Sequence, residues 1–400
     1  MAFLSRFLIT AGLCLGLQVS LLATVPSASA GETLRVGLDA DMSSASAESG
    51  EAIRRGMVVA IDEINEAGGL LGKPLELVVA DHRGNPARGM DNIENFAAMD
   101  GMVAVMGGLH TPVAMAELAA IHRNNLIYLV PWAAGTKVVD NGYTPNNVFR
   151  VSVRDAYAGR FLAEEAKRRG FKTIGLLLEQ TGWGRSNEAA FKTVGKEIGL
   201  TISNVQWFSW GVKDIRLQIE ALRNSGAEAI LLVANAREGA VAARTVAQLA
   251  PQQRLPIISH WGITGGQFTQ MVGKDLEAID LTFLQTYSFL RPPRPERARA
   301  FLARYYALFP GDRHEPQDIR SPVGTAHAYD LMHLLARAIS KAGSVDPDKL
   351  RFALENLGSY EGLIKLYNPP FTATSHDALT QADFSLARFL PSGAIIPVQK

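Results

Sequence analysis

Beyond residue 33 the chain alternates short, wholly apolar runs with longer stretches whose apolar residues recur every three or four positions. The runs Leu34–Leu38, Leu75–Ala80, Met102–Met106 and Leu126–Val130 have strand length. Ile53, Met57, Ile61 and Ile64 mark one face of a helix between the first two. Gly68-Gly69 ends that helix, and another runs through Asn92 to Met99. A strand apolar on both faces belongs in a parallel sheet covered by helices. The order βαβαβαβ therefore predicts a doubly wound parallel sheet.

After Val148-Phe149-Arg150-Val151 the pattern starts afresh. Helices are expected over 155–169, from Ser186, and over 214–225 and 238–249; strands are expected over 173–178, 202–207, 229–233 and 256–259. A strand over 281–287 leads through the stiff turn Arg291-Pro292-Pro293-Arg294 to helices over 295–309 and 322–342. Asp346-Pro347 opens one more, because aspartate caps free N–H groups and proline suits the first turn. The tail over 360–398 is too short to fold alone and must complete a lobe already begun. Two α/β lobes of similar size thus stand in series.

The stretch 102–136 holds the strongest candidate chemistry. Its first strand turns through Gly107-Gly108-Leu109-His110 into a helix opened by Thr111-Pro112, with Thr111 expected as N-cap. A helix start carries partial positive charge and unpaired N–H groups, which suits a carboxylate. The second strand ends in Pro131-Trp132-Ala133-Ala134-Gly135-Thr136, a loop expected beside the first. Adjacent βα loops at the carboxyl edge of a parallel sheet are where open α/β proteins bind ligands. Taken alone, the pair would pass for ordinary βα connections.

Composition adds an address and removes several function classes. Arg6, an uncharged apolar run over 7–23 and Ala28-Ser29-Ala30 before Gly31 have the form of a secretory signal peptide cleaved after Ala30. Thr10, Gln18 and Ser20 make that run a weak membrane span. The single cysteine, Cys14, lies in this leader, so the mature chain would have no disulfide, thiolate metal ligand or cysteine nucleophile. Loss of Arg6 leaves 39 basic against 39 acidic side chains with no basic stripe, which argues against nucleic acid as a partner. No other apolar run approaches membrane-spanning length. The expected location is the periplasm, and at 47% apolar residues the remaining chain can fill two cores.

Six stretches in order carry a resemblance. They are Gly56 to Gly72, with Ala60-Ile61-Asp62-Glu63-Ile64-Asn65 and Gly68-Gly69-Leu70-Leu71-Gly72; Leu75 to Asp81; Gly107 to Thr111; Val148-Phe149-Arg150; Gly182-Trp183-Gly184; and Ala328-Tyr329-Asp330. Together they resemble the solute-binding proteins of ABC transporters, in the branched-chain amino acid (leucine/isoleucine/valine) type family, over nearly all of residues 31–400. The resemblance implies an α/β fold of two doubly wound parallel-sheet lobes joined by three crossovers, a type I periplasmic binding protein. The crossovers would fall near 149–153, 282–288 and 357–362. Lobe 1 would hold 31–149 plus 288–357, and lobe 2 150–287 plus 358–400. Such a hinge closes because a ligand touching both lobes gives the closed state contacts that the open one lacks.

The same resemblance places Thr111 where the family uses Ser or Thr at a helix start to hold the ligand's carboxylate. His110 beside it either adds a donor or points to solvent. Ala133, Ala134 and Thr136 fall on the loop that completes the ligand's polar contacts in similar proteins, with Trp132 as an extra residue. Trp183 falls where an aromatic of lobe 2 covers the ligand, and its flanking glycines suggest a loop tip. Ser49 stands where relatives often carry an aromatic. Amino acid binders of the family place an acid after the strand over 256–259 to pair with the ligand ammonium, whereas this chain has His260-Trp261-Gly262. Burying an ammonium without a carboxylate costs roughly a few kcal/mol or more. Either Asp39, Asp41 or Glu238 supplies the charge or the ligand has no ammonium, and the second is the expectation. Asn235-Ala236-Arg237 offers an amide and a guanidinium to a second anionic or carbonyl group, although the plainer reading of Arg237 is a solvated residue at a helix start. Trp132, Trp183 and Trp261 suggest an apolar or aromatic ligand body.

Asp81-His82 and His376-Asp377 are acid–histidine pairs with no GxSxG, HExxH or Walker pattern beside them, so a surface or tail role is expected, and not an enzyme. No cofactor or metal is implied. The expected function is the periplasmic solute-binding component of an ABC importer, a monomer that captures a small solute by hinge closure and hands it to an inner-membrane permease. The solute is an amino acid or, preferred, an amino-group-free apolar or aromatic carboxylate. The alternative is a sensory protein on the same fold that presents its closed form to a membrane receptor.

Overall fold

The computed structural model describes residues 33–312 and 314–398. The expected leader, with Arg6, Cys14 and the cleavage after Ala30, lies outside the described residues. The first sheet grows from β1 (Leu34–Ala40), α1 (Ala47–Glu66), β2 (Leu75–Asp81), α2 (Pro86–Ala97), β3 (Met102–Gly107), α3 (Thr111–Arg123), β4 (Tyr128–Val130), α4 (Thr136–Val139) and β5 (Val148–Arg150). Its strands pair in the order β2-β1-β3-β4-β5, all parallel. The central strands β1 and β3 are buried on both faces, which is why they read as unbroken apolar runs. The edge strand β2 is half-buried. After α1 the turn requires glycine: Gly69 has φ +76°, and a Cβ there would lie 2.1 Å from the Lys73 carbonyl.

The second sheet follows with α5 (Asp155–Arg168), β6 (Thr173–Glu179), α6 (Gly182–Ile198), β7 (Thr201–Phe208), α7 (Arg216–Asn224), β8 (Ala229–Val233), α8 (Ala236–Ala247), β9 (Ile257–Ser259), α9 (Phe268–Val272) and β10 (Leu281–Gln285). The chain then returns to the first lobe with α10 (Pro295–Leu308), α11 (Pro322–Ala342) and α12 (Pro347–Glu355), of which α10 and α11 pack on α1 and α12 packs on α11. Asp346 caps α12, its side chain accepting from the Lys349 N–H at 3.0 Å. The tail forms a small hairpin, β11 (Tyr360–Glu361) with β12 (Leu366–Tyr367), and a second one, β13 (Ser385–Phe389) with β14 (Ile395–Pro397). The second hairpin extends the second sheet, whose order is β14-β13-β10-β9-β8-β6-β7. β13 runs antiparallel to β10, while the five strands from β10 to the edge strand β7 are parallel. The chain thus passes between the lobes after Arg150, after Gln285 and through the tail.

Two expectations about polar pairs are corrected here. His376 and Asp377 are not at the surface: Asp377 pairs with the fully buried Arg150 at 2.5 Å, and His376 stacks on Phe149. His82 is likewise buried, its Nδ1 accepting from the Gly84 N–H, and burial pushes its imidazole down to about 3. Both histidines serve packing, because neighbours distant in sequence close over them.

Candidate functional site

The carboxyl ends of the two parallel sheets face one another. On lobe 1, Gly108 (φ +60°) lets β3 turn sharply into α3, since a Cβ there would lie 2.3 Å from that of Ala114. His110, not Thr111, is the N-cap of α3, and it caps without a side-chain hydrogen bond. The expected cap role of Thr111 fails because its Oγ1 is spent elsewhere, accepting from the Gly135 N–H at 3.1 Å. The threonine therefore ties the α3 start to the neighbouring loop.

That loop has all five carbonyls from residue 131 to 135 clasped from outside the cleft. His327 Nδ1 donates to Pro131 at 2.8 Å, Ser152 Oγ to Trp132 at 2.8 Å, and the Asp155 N–H to Ala134 at 2.8 Å. The Arg150 guanidinium donates to Ala133 at 3.2 Å and Gly135 at 2.9 Å. A carbonyl only accepts, so His327 carries its proton on Nδ1; burial, which pushes it down to about 4, keeps it neutral. Among the described residues the N–H groups of Ala133 and Ala134 have no protein partner. Thr136 does not join this wall. Its N–H donates to Ser186 Oγ at 3.2 Å and its hydroxyl accepts from the Ala156 N–H at 3.2 Å, which fastens it to lobe 2.

On lobe 2 the wall comes from the ends of β6, β8 and β9. Thr181 caps α6 by accepting from the Trp183 and Gly184 N–H groups, so Trp183 sits in the first helical turn and not on a loop tip. Its indole N–H donates to Asp155 at 3.1 Å, and its ring meets the His260 edge at 4.9 Å. His260 is sealed beneath it, 3.3 Å from Asp155. Trp261 lies 5.4 Å from both Trp132 and His327, bridging the lobes. Ser49 donates to the Gly265 carbonyl at 2.9 Å, and Trp132 packs beside that same glycine.

None of the three acids considered from sequence reaches the cleft. Asp39 is buried against Glu117, and burial pushes both carboxyls up. Asp41 braces its own loop; burial opposes its charge, but pairing with His110 and hydrogen bonds from Ser44 and Ser46 hold it well below the usual range. Glu238 accepts from the Gly211 N–H at 2.8 Å. The acid that does line the cleft is Glu179, the last residue of β6. Burial pushes its carboxyl up to about 7, with Thr181 and Trp210 pulling it back. Arg237 is corrected as well: it is exposed and lines a shallow groove with Lys213 and Arg244, because it lies on the outer face of α8.

A narrow cleft with only about 10 Å³ of free volume lies between the walls. Lobe 1 lines it with Leu109, His110, Thr111, Pro112, Trp132, Ala133 and Ala134, and lobe 2 with Glu179, Trp183, Asn235 and Trp261. The lobes are closed on it: Ser321 Oγ donates to the Thr264 carbonyl at 2.7 Å, and Trp210 of lobe 2 packs on His110 with centroids 5.2 Å apart. A larger opening, about 780 Å³, runs between α1 and the β13-β14 hairpin. Its arginines are already paired, Arg55 with Glu51 and Asp312, and Arg320 with Glu48, so neither guanidinium is left unpaired for an anionic guest.

The sequence profile described as periplasmic binding protein matches residues 33–393. The chain belongs to the periplasmic binding protein family. This binding protein is 24% identical over 329 residues to the leucine-, isoleucine-, valine-, threonine-, and alanine-binding protein of Pseudomonas aeruginosa, spanning 81% of this chain and 83% of that one. A type 1 periplasmic binding protein from Bordetella pertussis Tohama I superposes with a TM-score of 0.81 at 21% identity, over 92% of this chain and all of that one. An ABC transporter solute-binding protein from R. palustris, in complex with 4-hydroxybenzoate, gives 0.75 at 19% identity, over 92% and 96%. The architecture is accordingly that of a type I periplasmic binding protein. Among the described residues no cluster of His, Cys, Asp and Glu is arranged to hold a metal, and no helix is long and apolar enough to cross a membrane.

Proposed function

We propose that this binding protein is the periplasmic capture component of an ABC importer, a monomer that closes on an apolar or aromatic carboxylate without an amino group and delivers it to an inner-membrane permease. One observation carries the reading: a narrow cleft walled by both lobes has N–H groups without a protein partner and a helix start on one side and indoles on the other. An ionised carboxylate seated on Thr111, Ala133 and Ala134 would make charge-assisted hydrogen bonds next to the positive end of α3. Trp132, Trp183 and Trp261 would enclose its body. Closure then follows from contacts that only the closed state offers.

The preference against an ammonium rests on the β9 end. The residue there, His260, is sealed under Trp183, and Asp39, Asp41 and Glu238 are committed elsewhere. Similar proteins have solutes of both kinds in their names, aliphatic amino acids for the P. aeruginosa relative and 4-hydroxybenzoate for the R. palustris one. A thermal-shift screen tests the reading, because a solute that binds the native state raises the unfolding midpoint by mass action. Aromatic and aliphatic carboxylates should outperform leucine and valine. A strong shift with leucine and none with its deaminated analogue would contradict it.

A further inference from the structure

Lobe 2 brings one acid to the cavity, and the carboxylate reading gives it no partner. Glu179 is buried at the end of β6, beside Asn235 at the end of β8. Its Oε1 accepts from Thr181 Oγ1 at 2.7 Å, and its Oε2 from Trp210 Nε1 and Asn235 Nδ2, each at 3.0 Å. A carboxylate offers about four lone-pair sites, so one remains on Oε1. Among the described residues the cavity wall holds no lysine, no arginine and no second acid. The amide oxygen of Asn235 is the only other side-chain acceptor among the lobe 2 residues that line it.

We propose that Glu179 is the specificity-determining residue of the cleft and receives a hydroxyl group that the ligand carries away from its carboxylate. The inference rests on the carboxylate reading given above. An ammonium brings three donors, each needing an acceptor once water is excluded, and the lobe 2 side chains supply two. A hydroxyl brings one. Burial adds a second reason, because it pushes Glu179 up to about 7. Such a carboxyl accepts from a hydroxyl when charged and donates to it when protonated, whereas an ammonium is served by the charged form alone. The ligand class is thus a small hydroxy-carboxylate whose body lies among Trp132, Trp183 and Trp261.

Titration calorimetry on the mature protein near neutral pH decides it with two series. One is benzoate, para-hydroxybenzoate and para-(aminomethyl)benzoate; the other is leucine, its hydroxy-acid analogue and its deaminated parent. In at least one series the hydroxy acid should bind about tenfold or more tighter than both the parent and the amine. Glu179→Leu should reduce that preference to about threefold or less. The wild-type comparison stands alone if the variant fails to fold. Equal binding of hydroxy acid and parent in both series, tightest binding of the amine, or a preference that survives Glu179→Leu overturns the inference while the carboxylate reading stands. If neither the parent nor the hydroxy acid of either series binds, the carboxylate reading falls and the inference with it.

Discussion

The two walls of the cleft are built in opposite ways. Lobe 1 presents mostly backbone: a helix start and one loop whose five carbonyls are held from behind by His327, Ser152, Asp155 and Arg150. Lobe 2 presents side chains from the ends of separate strands, Glu179, Asn235 and Trp261, together with Trp183 from α6. A backbone wall gets its geometry from its supports, so damage to a support appears as lost stability. A side-chain wall gets its selectivity from single groups, so damage appears as lost affinity or altered pH dependence.

The largest effect should come from the support of lobe 1. Asp377→Ala leaves Arg150 buried and unpaired behind the 131–135 loop, which costs about 3–5 kcal/mol and is read as a lower chemical-denaturation midpoint. If stability is unchanged, the loop is not held from behind and the contrast between the walls disappears.

Next comes Glu179. Burial pushes its carboxyl up to about 7 in the folded protein, from an ordinary value of 4.5. Below about pH 4.5 both states are protonated and no penalty exists. As pH rises from there toward 7 the unfolded chain ionises first, so this group's stabilising share declines, by up to about 3 kcal/mol. Glu179→Gln abolishes that slope, and its stability relative to wild type should therefore climb with pH across this window in parallel denaturation series. A constant difference at all pH values would show that the acid is not held in its protonated form.

Trp183→Ala should leave the midpoint less affected than Asp377→Ala but weaken ligand binding by about 2 kcal/mol, roughly thirtyfold, as for a buried aromatic anchor. Calorimetry with the best carboxylate measures it. The smallest effect belongs to Arg237→Ala, which should not change affinity, since Arg237 lies outside the cavity. A loss there would put the guanidinium back in the cleft.

The same contrast explains what the sequence made legible. The lobe 1 wall is contiguous, so the glycine turn, Thr111 and the loop from Pro131 can be read as one motif once strand periodicity places them at a sheet edge. Lobe 2 resisted because its wall depends on strand order. Glu179 and Asn235 are 56 residues apart and meet only because β6 lies beside β8. A signal existed in the acid that directly ends the apolar run Ile174–Leu178, but nothing local said which strands flank it. Arg237 was rightly placed at a helix start, and its exposure there fits the plainer of its two readings, a solvated residue. The burial of Asp377 was hidden for a similar reason, its partner Arg150 lying 227 residues away.

The most direct measurement is a crystal structure of the protein with the carboxylate that gives the largest thermal shift. The account predicts the carboxylate between the lobes, within hydrogen-bonding distance of Thr111 and the N–H groups of Ala133 and Ala134, with Trp183 and Trp261 against the ligand body. A carboxylate held by lobe 2, or a ligand seated in the wide groove beside Arg55, would contradict it.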